Sequence, residues 1–149
     1  MKRVVLGVGN TIMTDEGVGV RCVEWLAPQL PAGVLAIDGG TSTHELLEDL
    51  EDAELLIIVD AIVAPPGTPP GTILRLEGAR IPSAFSNKLS PHQHGINDLL
   101  ANLALLDRSP KRVVLFGIAP AKVELGMELT PDVAAAIPEV GRRVLEELS

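Results

Sequence analysis

Apolar residues in this chain recur with two alternating periods, and that alternation restricts the fold more than any other feature. Val4 to Val8 is a short continuous run rich in β-branched residues, as a strand buried on both faces requires. Val20, Val23, Leu26, Ala27 and Leu30 follow at helical spacing, which predicts a helix over about 17–27 ending near Pro28. Val34 to Ile37 reads as a second strand, stopped by Asp38-Gly39-Gly40. Ser42 and Glu45 form a capping-box pair ahead of a short helix whose buried face is Leu46, Leu47 and Leu50. Leu55 to Val59 is a third strand, apolar throughout as a central parallel strand should be.

The pattern then changes. Ala64-Pro65-Pro66-Gly67-Thr68-Pro69-Pro70-Gly71 is a rigid connection without helix. Thr72 to Leu76 alternates, which predicts a strand with one exposed face, antiparallel and near an edge. Residues 77–90 show no clear period. Ser90-Pro91 is a helix start with Pro at the first position, and Ile96, Leu99, Leu100, Leu103 and Leu106 give that helix an apolar face. Val113 to Ile118 is a fifth strand. Thr130-Pro131 opens a last helix carrying Val133, Ile137, Val140, Val144 and Leu148, in which Pro138 is expected to introduce a bend. The order βαβαβ, then β, then αβα predicts an α/β fold: an open, mostly parallel twisted sheet of five strands with helices on both faces. A length of 149 residues suits one domain spanning 1–149, with roughly two-thirds of the chain's surface buried.

In such sheets ligands sit beyond the carboxyl ends of the strands, so the polar residues there carry the functional argument. Gly7-Val8-Gly9-Asn10-Thr11-Ile12 begins like a dinucleotide fingerprint, but Ile12 stands where its third glycine belongs. Asp15 and Glu16 at the helix start would also repel a pyrophosphate. These two acids are open to a plainer reading as helix caps. Asp60 ends the third strand between apolar neighbours, where a carboxylate is costly unless paired, hydrogen-bonded or bound to a cation; capping of a neighbouring loop is the alternative. His92 falls in the first turn of the fourth-strand-to-fifth-strand helix, whose positive end keeps an imidazole neutral, the form a metal needs. His94 points about 200° away from it, so the two should not share one ion. His44 reads as a surface residue and Cys22 as packing.

Composition narrows the partners. The net charge of −8 and the three aromatic residues, none of them Tyr, disfavour nucleic acid. One cysteine excludes a disulfide framework and a thiolate zinc site, and fits a reducing compartment. The N-terminal apolar run is too short for a signal peptide, and no 18-residue apolar stretch exists. The expectation is a cytoplasmic protein with no membrane partner. Glu16, Asp60 and His92 are then the residues left to hold a metal, and a mixed carboxylate–imidazole set suits nickel or zinc.

At these residues the sequence resembles the hydrogenase maturation endopeptidases. The resemblance is carried by Leu6-Gly7-Val8-Gly9-Asn10 with Thr14-Asp15-Glu16-Gly17-Val18-Gly19-Val20-Arg21, by Asp38-Gly39-Gly40-Thr41, by Ile58-Val59-Asp60-Ala61 and by Asn87-Lys88-Leu89-Ser90-Pro91-His92. Gly117 to Pro120 and Gly126 to Pro131 resemble the C-terminal blocks, so the likeness runs through nearly the whole chain in order. It implies a three-layer αβα sandwich around five strands. It implies removal of a C-terminal extension from the large-subunit precursor of a [NiFe] hydrogenase after nickel insertion, with the nickel borne by the precursor. It implies Glu16, Asp60 and His92 as ligands and catalytic residues, with zinc or cadmium able to occupy the site of the isolated protein. Asp38, Gly39, Gly40 and Thr41 are expected to position the substrate, with a tight turn as the alternative. His44 and His94 fall where the family requires no histidine, which leaves an additional ligand open. Two rival classes stand beside this reading: a non-catalytic α/β binding module and a peptidase of general substrates.

Overall fold

A computed structural model describes residues 2–40, 46–81 and 91–149, and at 40, 79 and 91–96 it describes the backbone alone. The capping-box pair Ser42 and Glu45, together with Thr41 and His44, lies outside the described residues, as does most of the aperiodic stretch after residue 81. Five strands form one sheet: β1 (Arg3–Val8), β2 (Val34–Gly40), β3 (Leu55–Ala61), β4 (Ile73–Glu77) and β5 (Arg112–Ile118). The spatial order is β2-β1-β3-β5-β4. The first four of these pair parallel; β4 runs antiparallel to β5 on the edge, as its alternating sequence predicts.

Helices α1 (Val18–Leu26) and α4 (Pro131–Leu148) cover one face; α2 (Leu47–Leu50) and α3 (Pro91–Leu105) belong to the other. Strand periodicity divides the core between them. Val5, Leu55, Ile57, Val59, Val114 and Phe116 pack against α1 and α4. Val4, Leu6, Val8, Leu56, Ile58 and Leu115 pack with Leu50, Leu99 and Leu103 on the opposite face. The three layers follow from strands that are apolar on both sides and helices that are apolar on one. Helix α4 continues past Pro138 to Leu148. Leu106, expected on the buried face of α3, lies just beyond its end and is exposed. No helix among the described residues is long and apolar enough to cross a membrane.

Two boundaries differ from the sequence reading, both at the carboxyl end of the sheet. Strand β2 does not stop at Ile37 but runs through Asp38-Gly39-Gly40. The register passes from Gly7↔Asp38 to Val8↔Gly40, so Gly39 is absorbed in a bulge rather than in a turn. Strand β3 likewise includes Asp60, which pairs with Gly117, instead of ending before it.

The proline-rich connection is a tandem of one turn. In Pro65-Pro66-Gly67-Thr68 the Thr68 N–H and hydroxyl both donate to the Pro65 carbonyl, at 3.1 and 2.6 Å. In Pro69-Pro70-Gly71-Thr72 the Thr72 N–H and hydroxyl donate to the Pro69 carbonyl, at 3.2 and 2.6 Å. Gly67 and Gly71 have φ of 87° and 86°, the value a type II turn demands after proline. The second turn is tied to the end of β5 by Gly71 N–H to the Ala119 carbonyl, 2.8 Å.

Candidate active site

Four polar side chains are buried among the described residues: Thr14, Asp15, Glu16 and Asp60. All lie at the carboxyl end of the sheet, on the turn after β1 or in the last residues of β3. The turn is a short 3-10 helix, Thr14–Gly17, that leads into α1 and touches β3. Its position depends on two glycines. A Cβ on Gly9, whose φ is 142°, would lie 1.9 Å from the Glu16 carbonyl oxygen. A Cβ on Gly19 would lie 2.1 Å from the Val59 carbonyl oxygen and 2.5 Å from that of Val8. The first turn of α1 is therefore pressed onto the ends of β1 and β3, and the turn that carries Glu16 lies against β3. These glycines make room for protein backbone and leave no phosphate cradle, which removes the dinucleotide reading.

Asp15 and Glu16, adjacent in sequence, do different things. The Asp15 carboxylate accepts four hydrogen bonds. Oδ1 receives the Thr130 N–H at 2.8 Å. Oδ2 receives the Thr130 hydroxyl at 2.7 Å and the N–H groups of Ala121 and Lys122 at 2.8 and 3.0 Å. A buried carboxylate with this many donors is well compensated and has no need of a cation. It fastens the loop after β5 to the turn after β1. It does not cap α1, whose N-cap position is Gly17 and has no side-chain cap. Sequence reasoning grouped Asp15 with Glu16 and missed this role.

Glu16 is 3% exposed and Asp60 0%. Asp60 is an even-numbered position of β3, on the face of Leu56 and Ile58 that α3 covers. Helix α3 begins at this end of the sheet, since the connection after its C-terminus meets residues 52–53 ahead of β3. His92 is its second residue. Its side chain lies outside the described atoms, but its helical phase does not. Positions 99 and 103 fall within about 20° of position 92, and Leu99 and Leu103 are buried against the sheet. Position 92 thus shares the phase that faces β3. Position 94 shares the phase of Asp98 and Ala101, both exposed. Among the described side chains no three His, Cys, Asp or Glu residues converge; of the three expected ligands, Glu16 and Asp60 are the two whose side chains are described, and both are buried. Asp38 is exposed on the same end, opposite Gly7, and Gly39 is buried in the bulge beside it.

Other candidates for chemistry fall away. Cys22 is buried in the core, and burial pushes its thiol up to about 12, so it is neither a thiolate nucleophile nor a ligand at neutral pH. A cavity of about 580 Å³ opens near the opposite end of the sheet, lined by Arg75, Arg112, Arg142 and Arg143 with Glu146 and Glu147. Its arginines are engaged by carboxylates: Arg75 and Arg112 by Glu77 and Glu147, Arg142 and Arg143 by Glu139. That is a solvated ion-pair network, remote from the buried acids.

Comparison with known proteins decides the family. The profile described as hydrogenase maturation protease matches residues 20–147. The chain belongs to the hydrogenase maturation protease family. Among its relatives is the hydrogenase 2 maturation protease of Escherichia coli K12, 43% identical over 99% of this chain and 91% of the relative. The hydrogenase expression/formation protein HupD of Rhodobacter capsulatus is 40% identical over 97% of this chain and 70% of its own length. The structure of the hydrogenase maturating endopeptidase HybD from E. coli superposes with a TM-score of 0.93, covering 99% of this chain and 92% of that one. As a maturation protease, the chain is a peptide-bond hydrolase with an αβα sandwich. Its family profile begins at Val20, whereas the E. coli relative extends the match over the turn that carries Glu16.

Proposed function

We propose that the chain removes the C-terminal extension of a [NiFe] hydrogenase large-subunit precursor after nickel insertion, and that it recognises the inserted nickel through Glu16, Asp60 and His92. The observation that carries this reading is the burial of two carboxylates, 3% and 0% exposed, at the strand ends of a protein-cleaving fold. Carboxylates withdrawn from water attract a cation, and one His with two acids is an incomplete set for it. The missing ligands belong to the precursor, whose cysteine thiolates hold the nickel. The metal is thus part of the substrate, and affinity for free ions is modest.

Docking through the nickel places the scissile bond beside it. A cation there polarises the peptide carbonyl, and a carboxylate of the pair takes the proton of the attacking water. Asp38, Gly39 and Gly40, at the end of β2, together with Thr41, the next residue in the sequence, position the precursor's chain. Mass spectrometry of the precursor tests the reading. Nickel-loaded precursor should lose its C-terminal peptide and metal-free precursor should not; equal cleavage of both would overturn recognition through the metal.

A further inference from the structure

A surface beside the site has no part in the chemistry above. Ile12, Leu125 and Met127 are 47%, 80% and 65% exposed. Single exposed apolar residues are ordinary, but these three come from two distant loops and flank one backbone bridge, Met13 to Gly126. The Gly126 N–H donates to the Ile12 carbonyl at 2.9 Å, and the Thr14 N–H to the Gly126 carbonyl at 2.8 Å. The Thr14 hydroxyl donates to the Lys122 carbonyl at 2.6 Å and accepts from the Glu124 N–H at 3.1 Å. Arg21 reaches the Met127 carbonyl at 3.4 Å. Backbone bonds, not mutual burial, hold these side chains out. A loop able to rearrange would bury them; this one is fixed from both sides and by Asp15.

The surface is joined through the backbone to the turn that carries Glu16. The Glu16 N–H donates to the Met13 carbonyl at 3.2 Å, so the turn that presents Glu16 hangs from the same bridge. The rim is charged, with the pairs Arg21–Glu24 and Lys122–Glu124 at 3.3 and 3.0 Å. An apolar centre with a charged rim is the composition of a protein-binding surface. An endopeptidase must also hold its substrate away from the bond it cuts, and a rigid apolar surface next to Glu16 supplies that hold.

We propose that Ile12, Leu125 and Met127 dock an apolar segment of the precursor polypeptide, adjacent to the point of cleavage. This rests on the precursor-processing reading, and the test separates the two. Leu125→Asp and Met127→Asp are compared with wild type and with Leu105→Asp, an 85%-exposed leucine at the far end of α3. Surface plasmon resonance measures the Kd for immobilised nickel-loaded precursor, and a processing assay measures KM and kcat. Each substitution at the surface should weaken binding about tenfold or more, with the loss falling on KM, while Leu105→Asp binds as wild type. Leu125→Ala, which shortens the side chain without adding charge, should weaken binding in the same direction and serves if the aspartate disturbs the loop. Wild-type Kd and KM in the surface variants, or a loss no larger than that of Leu105→Asp, would overturn the docking surface while leaving precursor processing intact. A wild-type protein that binds the precursor without cutting it would overturn processing alone, and one that does not bind it would overturn both.

Discussion

The carboxylate of Asp15 receives both the backbone N–H and the hydroxyl of Thr130, at 2.8 and 2.7 Å, across 115 residues of sequence. The next residue, Glu16, is also buried, on a turn that touches β3. One acid ties two loops together, and its neighbour is the proposed ligand. Asp15→Asn keeps the shape but offers one acceptor oxygen where two worked. It should cost about 2–3 kcal/mol of stability. Urea unfolding measures the cost, and limited proteolysis within 119–130 should speed up. Wild-type values in both would show that the clamp holds nothing.

The sheet and its layers were legible because their signals are local. Short β-branched runs and helical spacing alternate along the chain, and each lies within one element. The proline-rich connection and the edge strand β4 were legible for the same reason. The error at Gly39-Gly40 also has a local cause. Glycines that usually break a strand are here consumed in a bulge, and only the partner strand's register reveals it. Glu16 and Asp60 could be picked out as candidates from their places after apolar runs of sequence, and the structure adds that both are buried. The Asp15–Thr130 contact could not, since nothing near either residue encodes its partner. Thr130 before Pro131 reads as a helix cap, yet its hydroxyl is given to Asp15 and the helix has no side-chain cap. The surface of Ile12, Leu125 and Met127 was equally invisible, because a bridge between two loops creates it.

Cys22 gives a pH prediction with a definite sign. Burial raises its thiol from 9.0 to about 12 in the folded chain. The unfolded chain loses the proton above pH 9, while the fold keeps the thiol neutral. The associated stability is fully present below pH 9 and is lost as pH rises toward 12. Cys22→Ala should flatten the fall in stability across that window, measured by denaturant midpoints, whatever it costs near pH 7. In the native protein a thiol reagent should react only as fast as the chain opens; free-thiol rates at pH 8 would contradict the burial.

The two histidines of α3 should separate cleanly. Position 92 has the phase of buried Leu99 and Leu103, and position 94 that of exposed Asp98 and Ala101. His92→Ala should abolish processing of nickel-loaded precursor with little change in melting temperature. His94→Ala should process it within about twofold of wild type, a difference of roughly 0.4 kcal/mol in the barrier. The opposite ranking in the same assay would move the imidazole ligand to His94.

The central claim is that the buried carboxylates Glu16 and Asp60 meet a cation in the substrate. Asp60→Asn tests it most directly, because the side chain keeps its shape at a fully buried position and loses its charge. The measurement is the processing rate on nickel-loaded precursor, taken with the melting temperature of the same preparation. The account predicts a rate lower by roughly 10²-fold or more in a protein that still melts within a few degrees of wild type. Processing at the wild-type rate by a folded Asp60→Asn protein would contradict it.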